Sequence, residues 1–321
     1  MKIQLPDEIP SLDLHNFTSG DLSKKQDFIH DLGKAYSTIG FVAIKNHYLT
    51  DNLQNNLYDA VQQFFSLPDS VKQKYEDEAI QGQRGYIGKM KEHAKGRSTG
   101  DLKEFYHIGQ TKTGSDPETA SYPDNIFPEE VPQLKQYGLL SFKALEQTGI
   151  ILLRAIALFL ELDEYYFDSK VEKGNSILRP IHYYPIKNPD LIPADAVRAA
   201  EHTDINLITL LMGASADGLQ VLRRDGKWIP ITALPNQLVV NVGDMLSRLT
   251  NNKLRSTVHR VVNPPKDLMH EPRYSIPFFM HPLSNMDLSC LPNCIDDKHP
   301  KQFSDITAGE YLSKRLREIG F

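Results

Sequence analysis

The second half of the chain is divided into short β-rich segments, and their spacing limits the possible folds more than any other feature. The segments occupy residues 176–185, 205–212, 219–222, 228–231, 238–242, 257–262 and 274–280. Turn-forming residues separate most of them, for example at positions 225–226 and 263–265. Regularly spaced short strands of this kind predict a sandwich or a barrel, so we expect a mainly β core with flanking helices.

The first half of the chain has a helical pattern, in which apolar residues recur at intervals of three and four. This spacing predicts helices within residues 21–80, a long apolar helix over 134–162 and a surface helix from residue 311. Residues 80–132 are richer in Gly, Pro and charge, which predicts loops with short strands. We therefore expect a helical and loop-rich region, 1–135, and a core region, 136–321, packed as one compact unit.

The charge balance argues against some classes of partner. The 321 residues include 36 Lys and Arg against 41 Asp and Glu, a formal net charge of −5. Nucleic acids and anionic membranes bind basic surfaces, so we expect neither as a partner. No secretory signal is visible, and the apolar stretch 150–162 is too short to span a bilayer. With only two cysteines, the sequence predicts a cytoplasmic protein with free thiols, a monomer or weak homo-oligomer that acts on a small molecule.

His202 is the most informative of the eleven histidines. It precedes Asp204 by two positions at the predicted entry of a strand, and residues i and i+2 of an extended chain point to the same face. The two side chains can therefore reach one cation. The alternative is an ordinary solvated pair at a strand end, because the His-x-Asp pattern alone is common.

A third metal ligand must come from another strand, and His259 is the best candidate because it interrupts a run typical of a buried strand. Two histidines and one carboxylate on one side of a metal leave its other side open, which suits non-haem Fe(II). A structural zinc is usually enclosed by four protein ligands. His182 and His281 are rival ligands that lack a carboxylate two positions on, and Asp244 is better interpreted as a turn residue.

Arg273 and Ser275 follow His259 and share one face of the next predicted strand. A guanidinium presents a planar fork to a carboxylate, and the neighbouring hydroxyl adds a second donor. The pair would bind an anion inside the barrel. The alternative is an edge-strand arginine in a surface salt bridge.

Together these motifs resemble the isopenicillin N synthase-like family of Fe(II)/2-oxoglutarate-dependent dioxygenases. The resemblance covers nearly the whole chain. It rests on the motifs at 202–204, 259 and 273–275 and on three further segments in the family's order, at residues 9–14, 40–47 and 243–261.

The resemblance implies a double-stranded β-helix, or jelly roll, with helices packed outside and the metal inside one end. It implies that Fe(II) is bound by His202, Asp204 and His259, that 2-oxoglutarate and O₂ are co-substrates, and that ascorbate serves as a reductant. Arg273 and Ser275 would then bind the distal carboxylate of 2-oxoglutarate.

The family's Asn-Tyr-Tyr-Pro segment corresponds to residues 182–185 of this chain. The resemblance therefore implies that Tyr184, the tyrosine before the proline, also binds 2-oxoglutarate. His182 stands where the family has asparagine, and this departure alters the hydrogen bonding expected in that corner of the co-substrate pocket.

The implied reaction is the oxidation, normally a hydroxylation, of a small organic substrate, with release of succinate and CO₂ from 2-oxoglutarate. Two alternatives remain open. One is an Fe(II) oxidase of the same family that does not use 2-oxoglutarate, such as an oxidative cyclase, because these enzymes also carry Arg-x-Ser. The other is a non-catalytic jelly-roll protein that binds a small acid. Release of succinate distinguishes the three.

We expect the substrate to be held by the loop-rich segment before the long helix and by the strand after Ser275. Either Arg84 or Lys103 facing the metal would favour an anionic substrate. The alternative is that the aromatic residues pack the helices onto the barrel. The candidates are Arg84, Tyr86, Lys103, Phe105, Tyr106, Phe279 and His281.

Overall fold

Two β-sheets face each other, and helices cover the outer face of the larger sheet. This computed structural model describes residues 7–80, 82–93, 99–112, 119–193, 195–213, 217–232 and 236–318. The strands are β1 (Ser11–Asp13), β2 (Phe41–Lys45), β3 (Gly85–Ile87), β4 (Glu104–Gly109), β5 (Ile177–Leu178), β6 (Ile181–Tyr183), β7 (Ala199–His202), β8 (Ile208–Met212), β9 (Leu219–Leu222), β10 (Trp228–Pro230), β11 (Leu238–Val242), β12 (His259–Val261) and β13 (Arg273–Met280).

The larger sheet has nine strands in the order β1-β2-β11-β8-β13-β5-β4-β3, with β6 paired to both β13 and β4. The smaller sheet has four strands in the order β10-β9-β12-β7. Apolar side chains from both sheets meet between them, among them Phe41 and Val239 from the larger sheet and Val221 and Val261 from the smaller. Two facing, mostly antiparallel sheets agree with the predicted jelly roll.

The long helix α5 (Pro132–Phe159) packs on β8 and β13 of the larger sheet and contacts both α2 (Leu22–Thr38) and α3 (Asp51–Phe65). Two of them begin at capping side chains: Asp21 accepts hydrogen bonds from the backbone N–H groups of Ser23 and Lys24, and Thr50 accepts one from Leu53. The helices are α1 (His15–Thr18), α2 (Leu22–Thr38), α3 (Asp51–Phe65), α4 (Asp69–Lys72), α5 (Pro132–Phe159), α6 (Asp168–Val171), α7 (Asp244–Leu249) and α8 (Ala308–Glu318).

Strand alternation gives the central strands two different faces. On β13, Phe278 and Met280 point toward the helices, and the ring of Phe278 lies 5.0 Å from the ring of Phe142 on α5. Ser275 and Phe279 of the same strand point into the space between the sheets, where they line a cavity. One face of the strand therefore builds the core, and the other builds the site.

The N-terminal region contributes strands to the same sheet as the core region, because β2 pairs with β11. Gly40 makes the turn from α2 into β2 with φ of +76°, a conformation that favours glycine. A Cβ atom at this position would lie 2.3 Å from the carbonyl oxygen of Arg255. The chain therefore needs glycine here to bring β2 into the sheet.

Most predicted elements are present with small changes in their ends. The segments predicted at 219–222 and 238–242 coincide with β9 and β11, and the helix predicted over 134–162 is α5. Within the described part of the chain, no helix is both long and apolar enough to cross a bilayer. Both cysteines, Cys290 and Cys294, are free and buried.

Candidate metal centre

A cavity of about 470 Å³ lies between the two sheets. Strands of both sheets line it, and so do the segment around residues 82–107 and the C-terminal helix α8. His202, Asp204 and His259 form one part of its wall. The positions of the other predicted site residues can therefore be described relative to this cavity.

The two histidines lie opposite each other on neighbouring strands, because His202 of β7 pairs with His259 of β12. His202 is the last residue of β7, and Asp204 lies beyond the strand. The prediction of a strand entry at His202 was therefore wrong: His202 ends β7, Asp204 lies in the connection to β8, and the chain bends at 205–207.

Three donor atoms converge at this point. The Asp204 Oδ1 atom lies 4.0 Å from His202 Nε2 and 3.6 Å from His259 Nε2. All three atoms lie within 4.8 Å of one another, and no other group of three such side chains occurs among the described residues. His182 and His281, the rival ligands, are outside this group.

Hydrogen bonds orient both imidazole rings. His202 Nδ1 lies 2.7 Å from the carbonyl oxygen of Ala200, and His259 Nδ1 lies 3.1 Å from that of Thr257. A carbonyl can only accept, so each Nδ1 donates, and in the neutral form of either ring the lone pair that can bind a metal is then on Nε2. Desolvation, with a smaller contribution from His259, lowers the pKa of His202 to about 4, which keeps this ring neutral.

Asp204 divides its two carboxylate oxygens between the protein and the convergence point. Its Oδ2 accepts hydrogen bonds from Thr209 Oγ1 at 2.6 Å and from Asn241 Nδ2 at 2.8 Å. Burial opposes ionisation of this carboxyl, but the two histidines and these two donors outweigh it and lower its pKa. Oδ1 is thus an anionic ligand atom held in a fixed direction.

These donors fit a divalent transition metal. Two neutral imidazole nitrogens and one carboxylate oxygen on one side are the ligand set that suits non-haem Fe(II) with open positions. The three residues line the cavity, so a co-substrate and a substrate could reach these donor atoms from it.

Two of the predicted co-substrate residues, Ser275 and Arg273, line adjoining cavities. Ser275 lines the main cavity. Arg273 is 1% exposed and lines an adjoining cavity, which shares Leu211 and Leu219 with the first. Its guanidinium carbon lies 4.9 Å from the ring centroid of Tyr183, and its Nε donates to the carbonyl oxygen of Asp217 at 3.1 Å.

Tyr184 is not where the resemblance implied. Arg273 pairs with Tyr183 and Ser275 pairs with Ile181 across the sheet, so Tyr183 shares their face. Tyr183 lines the main cavity, whereas Tyr184 does not and instead lies under Lys89, whose Nζ is 5.4 Å from its ring centroid. The register of β6 against β13 decides this difference.

His182 faces the opposite side from Tyr183. Its ring stacks on Tyr274 with centroids 4.8 Å apart, and its Nδ1 lies 2.8 Å from Glu104 Oε1. Glu104 also pairs with Lys72 at 2.7 Å. His182 therefore belongs to a buried polar cluster under the helices, and not to the co-substrate pocket.

Four of the predicted substrate residues do not line the cavity. Arg84 is fully buried, and its desolvated guanidinium has a pKa lowered to about 10. Tyr86 and Tyr106 pack edge-on against Phe64, and Phe105 lies in the core between the sheets. Tyr86 and Tyr106 thus pack a helix onto the sheet, as in the structural alternative, Phe105 packs between the sheets, and Arg84 does not line the cavity.

The other three predicted substrate residues do line the cavity: Lys103, Phe279 and His281. Lys103 is not a free charge, because its Nζ lies 2.7 Å from Glu92 Oε1 and 2.8 Å from Asp101 Oδ2. Desolvation, followed by the charge of Arg179, lowers the pKa of His281 to about 4.

Several cavity residues have no signal in the sequence. Arg179 and Glu92 form an ion pair of 3.1 Å in the wall, and Arg179 Nε donates to His107 Nε2 at 2.6 Å. Leu312 and Arg315 come from α8, far along the chain from the metal ligands. The Lys-Glu-Phe segment at 103–105 was the only sequence signal for this wall. The other wall residues are brought together by packing between segments far apart in the chain, which no local pattern indicates.

Two family models match the chain. The model of the N-terminal region of non-haem dioxygenases in morphine synthesis matches residues 9–130, and that of the 2OG-Fe(II) oxygenase superfamily matches residues 174–282. A 2-oxoglutarate-Fe(II) type oxidoreductase of Metarhizium rileyi is 31% identical, over 98% of this chain and 88% of the relative. A 2-oxoglutarate-dependent dioxygenase of Dothideomycetidae sp. is 31% identical over 96% of both chains.

Solved structures show the same fold. A 2OG-Fe(II) oxygenase family protein from Caulobacter crescentus is 40% identical with a TM-score of 0.85, covering 97% of this chain and 98% of its own. A Neurospora crassa protein, solved in complex with alpha-KG and thymine, is 32% identical with a TM-score of 0.84 and 96% of each chain covered. These likenesses confirm the predicted jelly-roll fold.

Proposed function

This chain belongs to the 2OG-Fe(II) oxygenase superfamily, and from that membership we propose how its own residues carry out the reaction. The protein is an oxidoreductase that uses Fe(II), O₂ and 2-oxoglutarate. With Fe(II) bound, 2-oxoglutarate is oxidised to succinate and CO₂ while a substrate C–H bond becomes C–OH, and each organic product receives one oxygen atom of O₂.

His202, Asp204 and His259 hold the iron in this proposal. The single observation that carries it is the convergence of His202 Nε2, His259 Nε2 and Asp204 Oδ1, whose neighbouring atoms are already hydrogen-bonded to the protein. Such second contacts fix the direction of each ligand before the metal arrives. Ascorbate would keep the iron reduced.

Ser275, Arg273 and Tyr183 form the 2-oxoglutarate end of the site. Ser275 and Tyr183 line the same cavity as the metal ligands. The guanidinium carbon of Arg273 lies 4.9 Å from the centroid of the Tyr183 ring. A buried guanidinium favours a carboxylate beside it, because the ion pair and its paired hydrogen bonds offset the cost of keeping the guanidinium out of water. Tyr183 takes the role that the resemblance gave to Tyr184.

The charged side chains of the cavity wall around Lys103 and Arg179 balance one another, which argues for a neutral substrate. Lys103 and Arg179 are the cations, and Glu92 and Asp101 are the anions that pair with them. Desolvation works against both partners, yet the ion pairs raise the pKa of Lys103 and lower that of Glu92, so these two groups stay charged. The expectation of an anionic substrate therefore loses its basis.

Arg179 is the residue best placed to orient a neutral substrate. Its guanidinium carbon lies 4.4 Å from the ring centroid of Phe105 and 5.0 Å from that of Phe279. Its Nε and Nη1 are used by His107 and Glu92, and Nη2 donates to no other described residue. A planar molecule with a carbonyl group could accept from Nη2 and lie against Phe279.

We therefore propose a small neutral heterocycle with carbonyl groups as the substrate class. The Neurospora crassa protein binds thymine, and this class includes thymine. The test is to incubate the protein with Fe(II), ascorbate, O₂ and 2-oxoglutarate, add neutral heterocycles or small organic acids, and measure succinate and oxidised product together. A heterocycle should raise succinate above the substrate-free rate, with an equal amount of oxidised product.

Arg179→Gln should lose substrate-stimulated succinate and keep the substrate-free rate. Arg154→Gln is a matched control, because Arg154 pairs with Asp168 outside the cavity. Stimulation by organic acids alone would contradict the neutral class, and absence of succinate under all conditions would contradict the co-substrate assignment.

A further inference from the structure

The carboxylate of Asp244 connects the segments that carry the metal ligands to the C-terminal helix α8 through hydrogen bonds. Four side-chain donors reach its carboxylate: Ser256 Oγ at 2.6 Å on Oδ1, and Thr203 Oγ1 at 3.1 Å, Arg315 Nη1 at 2.6 Å and Tyr311 OH at 3.3 Å on Oδ2. The side chain is 13% exposed. A turn residue alone does not need this many partners.

Two of these donors belong to the segments that carry the metal ligands. Thr203 lies between His202 and Asp204 in the sequence, and Ser256 precedes His259 by three residues. The backbone N–H of Asp244 also donates to the carbonyl oxygen of Asp204 at 2.7 Å. Asp244 therefore holds both ligand-bearing segments at a fixed separation.

The other two donors belong to α8, which closes one side of the cavity. Leu312, Arg315 and Leu316 line the cavity, and Arg315 reaches it while paired with Asp244. The helix starts at a capping box, in which Thr307 and Glu310 hydrogen-bond each other's side chain and backbone. Beyond this cap, the ion pair with Asp244 ties the last turns of α8 to the site.

We propose that Asp244 is a positioning residue that couples the seating of α8 over the cavity to the geometry of the metal ligands. With α8 seated, Arg315 and Tyr311 fix the carboxylate, and the carboxylate in turn fixes Thr203 and Ser256. When α8 lifts, the carboxylate loses two donors and the ligand segments gain freedom. The inference rests on the metal site proposed above. It adds that α8 covers this site and that metal binding stabilises the seated position of α8.

Coupling of this kind is reciprocal. If seating α8 raises the affinity for metal by some factor, then metal must suppress the opening of α8 by the same factor. Changes to groups that orient metal ligands typically alter affinity by about 10- to 100-fold. We therefore expect metal to slow amide hydrogen exchange across residues 308–318 by about tenfold.

The experiment measures hydrogen exchange of the full chain with and without saturating Co(II), which binds such nitrogen and oxygen ligands more tightly than Fe(II) does. Asp244→Asn keeps the shape of the side chain and removes its charge. Arg248→Gln is the matched control, because Arg248 bonds Ser304 and lies over the rings of Phe303 and Tyr311. This variant removes contacts to the chain at and just before α8, and it leaves the charged carboxylate of Asp244 in place.

In the wild type and in Arg248→Gln, Co(II) should protect α8 by the same factor. In Asp244→Asn it should bind about tenfold more weakly and add no protection. Equal protection in both variants, or none in the wild type despite measured Co(II) binding, would overturn the coupling and leave the metal site standing. Failure of the wild type to bind Co(II) at all would overturn both.

Discussion

At the scale of single residues, each of the three converging side chains has one polar atom at the cavity and another hydrogen-bonded to the protein. Asp204 gives Oδ1 to the convergence point and Oδ2 to Thr209 and Asn241. The two histidines donate from Nδ1 to backbone carbonyls, and their Nε2 atoms face the convergence point. The protein thereby removes the rotational freedom of each ligand before binding, which lowers the entropic cost of holding a metal.

The co-substrate residues should differ in the size of their contributions. Arg273→Gln removes a buried ion pair with the 2-oxoglutarate carboxylate and should cost roughly 2–5 kcal/mol, at least about 30-fold in Kd. Ser275→Ala removes one hydrogen bond and should cost about 0.5–1.5 kcal/mol. Titration calorimetry with Co(II)-loaded protein and 2-oxoglutarate measures both. Unchanged 2-oxoglutarate affinity in Arg273→Gln, or loss of Co(II) binding with it, would contradict this assignment.

His107 should make stability depend on pH. Its Nδ1 lies 2.6 Å from the carbonyl oxygen of Gly82, and its Nε2 accepts from Arg179, so the ring must be neutral to serve both. Burial first, and then the charge of Arg179, hold its pKa well below the ordinary value of 6.5. Below that value the unfolded chain binds a proton that the folded chain does not, so stability is lost as the pH falls.

His107→Gln tests this because a glutamine amide can donate to Gly82 and accept from Arg179 without titrating. Urea unfolding at neutral pH and at mildly acidic pH should show a smaller loss of unfolding free energy in the variant. An equal loss in both proteins would show that His107 does not contribute.

At the scale of elements, the sequence predicts much of the framework but not the register between strands. Residue type and spacing predicted the three side chains that converge, because His202 and Asp204 are two positions apart and His259 interrupts a run typical of a buried strand. The choice between Tyr183 and Tyr184 depends on how β6 pairs with β13, which no local pattern encodes. Arg84 was misplaced because a charged residue in a Gly-rich segment gives no sign of its complete burial.

The contact between α2 and α5 gives an element-scale prediction. A Cβ atom at Gly33 would lie 2.0 Å from the Phe159 ring, so Gly33→Ala forces that ring to move. Overpacking costs about 1–3 kcal/mol, whereas alanine gains only about 1 kcal/mol of helix propensity, so the variant should be less stable by about 1 kcal/mol. Thermal unfolding measures this change.

Phe159→Leu provides the control, because the smaller side chain leaves room for the new methyl group. In that background Gly33→Ala should be neutral or stabilising, since only the helix propensity remains. If Gly33→Ala lowers the stability equally in the wild type and in Phe159→Leu, the loss does not come from contact with the Phe159 ring.

At the scale of the whole molecule, we propose that regions 1–135 and 136–321 fold as one unit. The large hydrophobic core includes residues of both, and β2 covers the edge of β11 with Ile44 opposite Leu238. Removing the first region would expose that strand edge and one face of α5, which packs on α3. The far end of the chain is also needed, because α8 completes the cavity wall.

Calorimetry should therefore show a single unfolding transition for the full chain, and the fragment 136–321 should not fold. Two separated transitions, or a fragment with the native far-ultraviolet spectrum and a cooperative melt, would contradict the proposal of one unit.

The most direct test of the account is 2-oxoglutarate turnover in Asp204→Ala beside its neighbour Glu201→Gln. Glu201 also lines the cavity, but its side chain is 52% exposed and pairs with Arg260. With Fe(II), ascorbate and O₂ supplied, succinate formation should fall by more than about 100-fold in Asp204→Ala, together with metal binding, because a ligand is lost. It should remain close to the wild-type rate in Glu201→Gln. Wild-type turnover and bound iron in Asp204→Ala would contradict the assignment of the metal site.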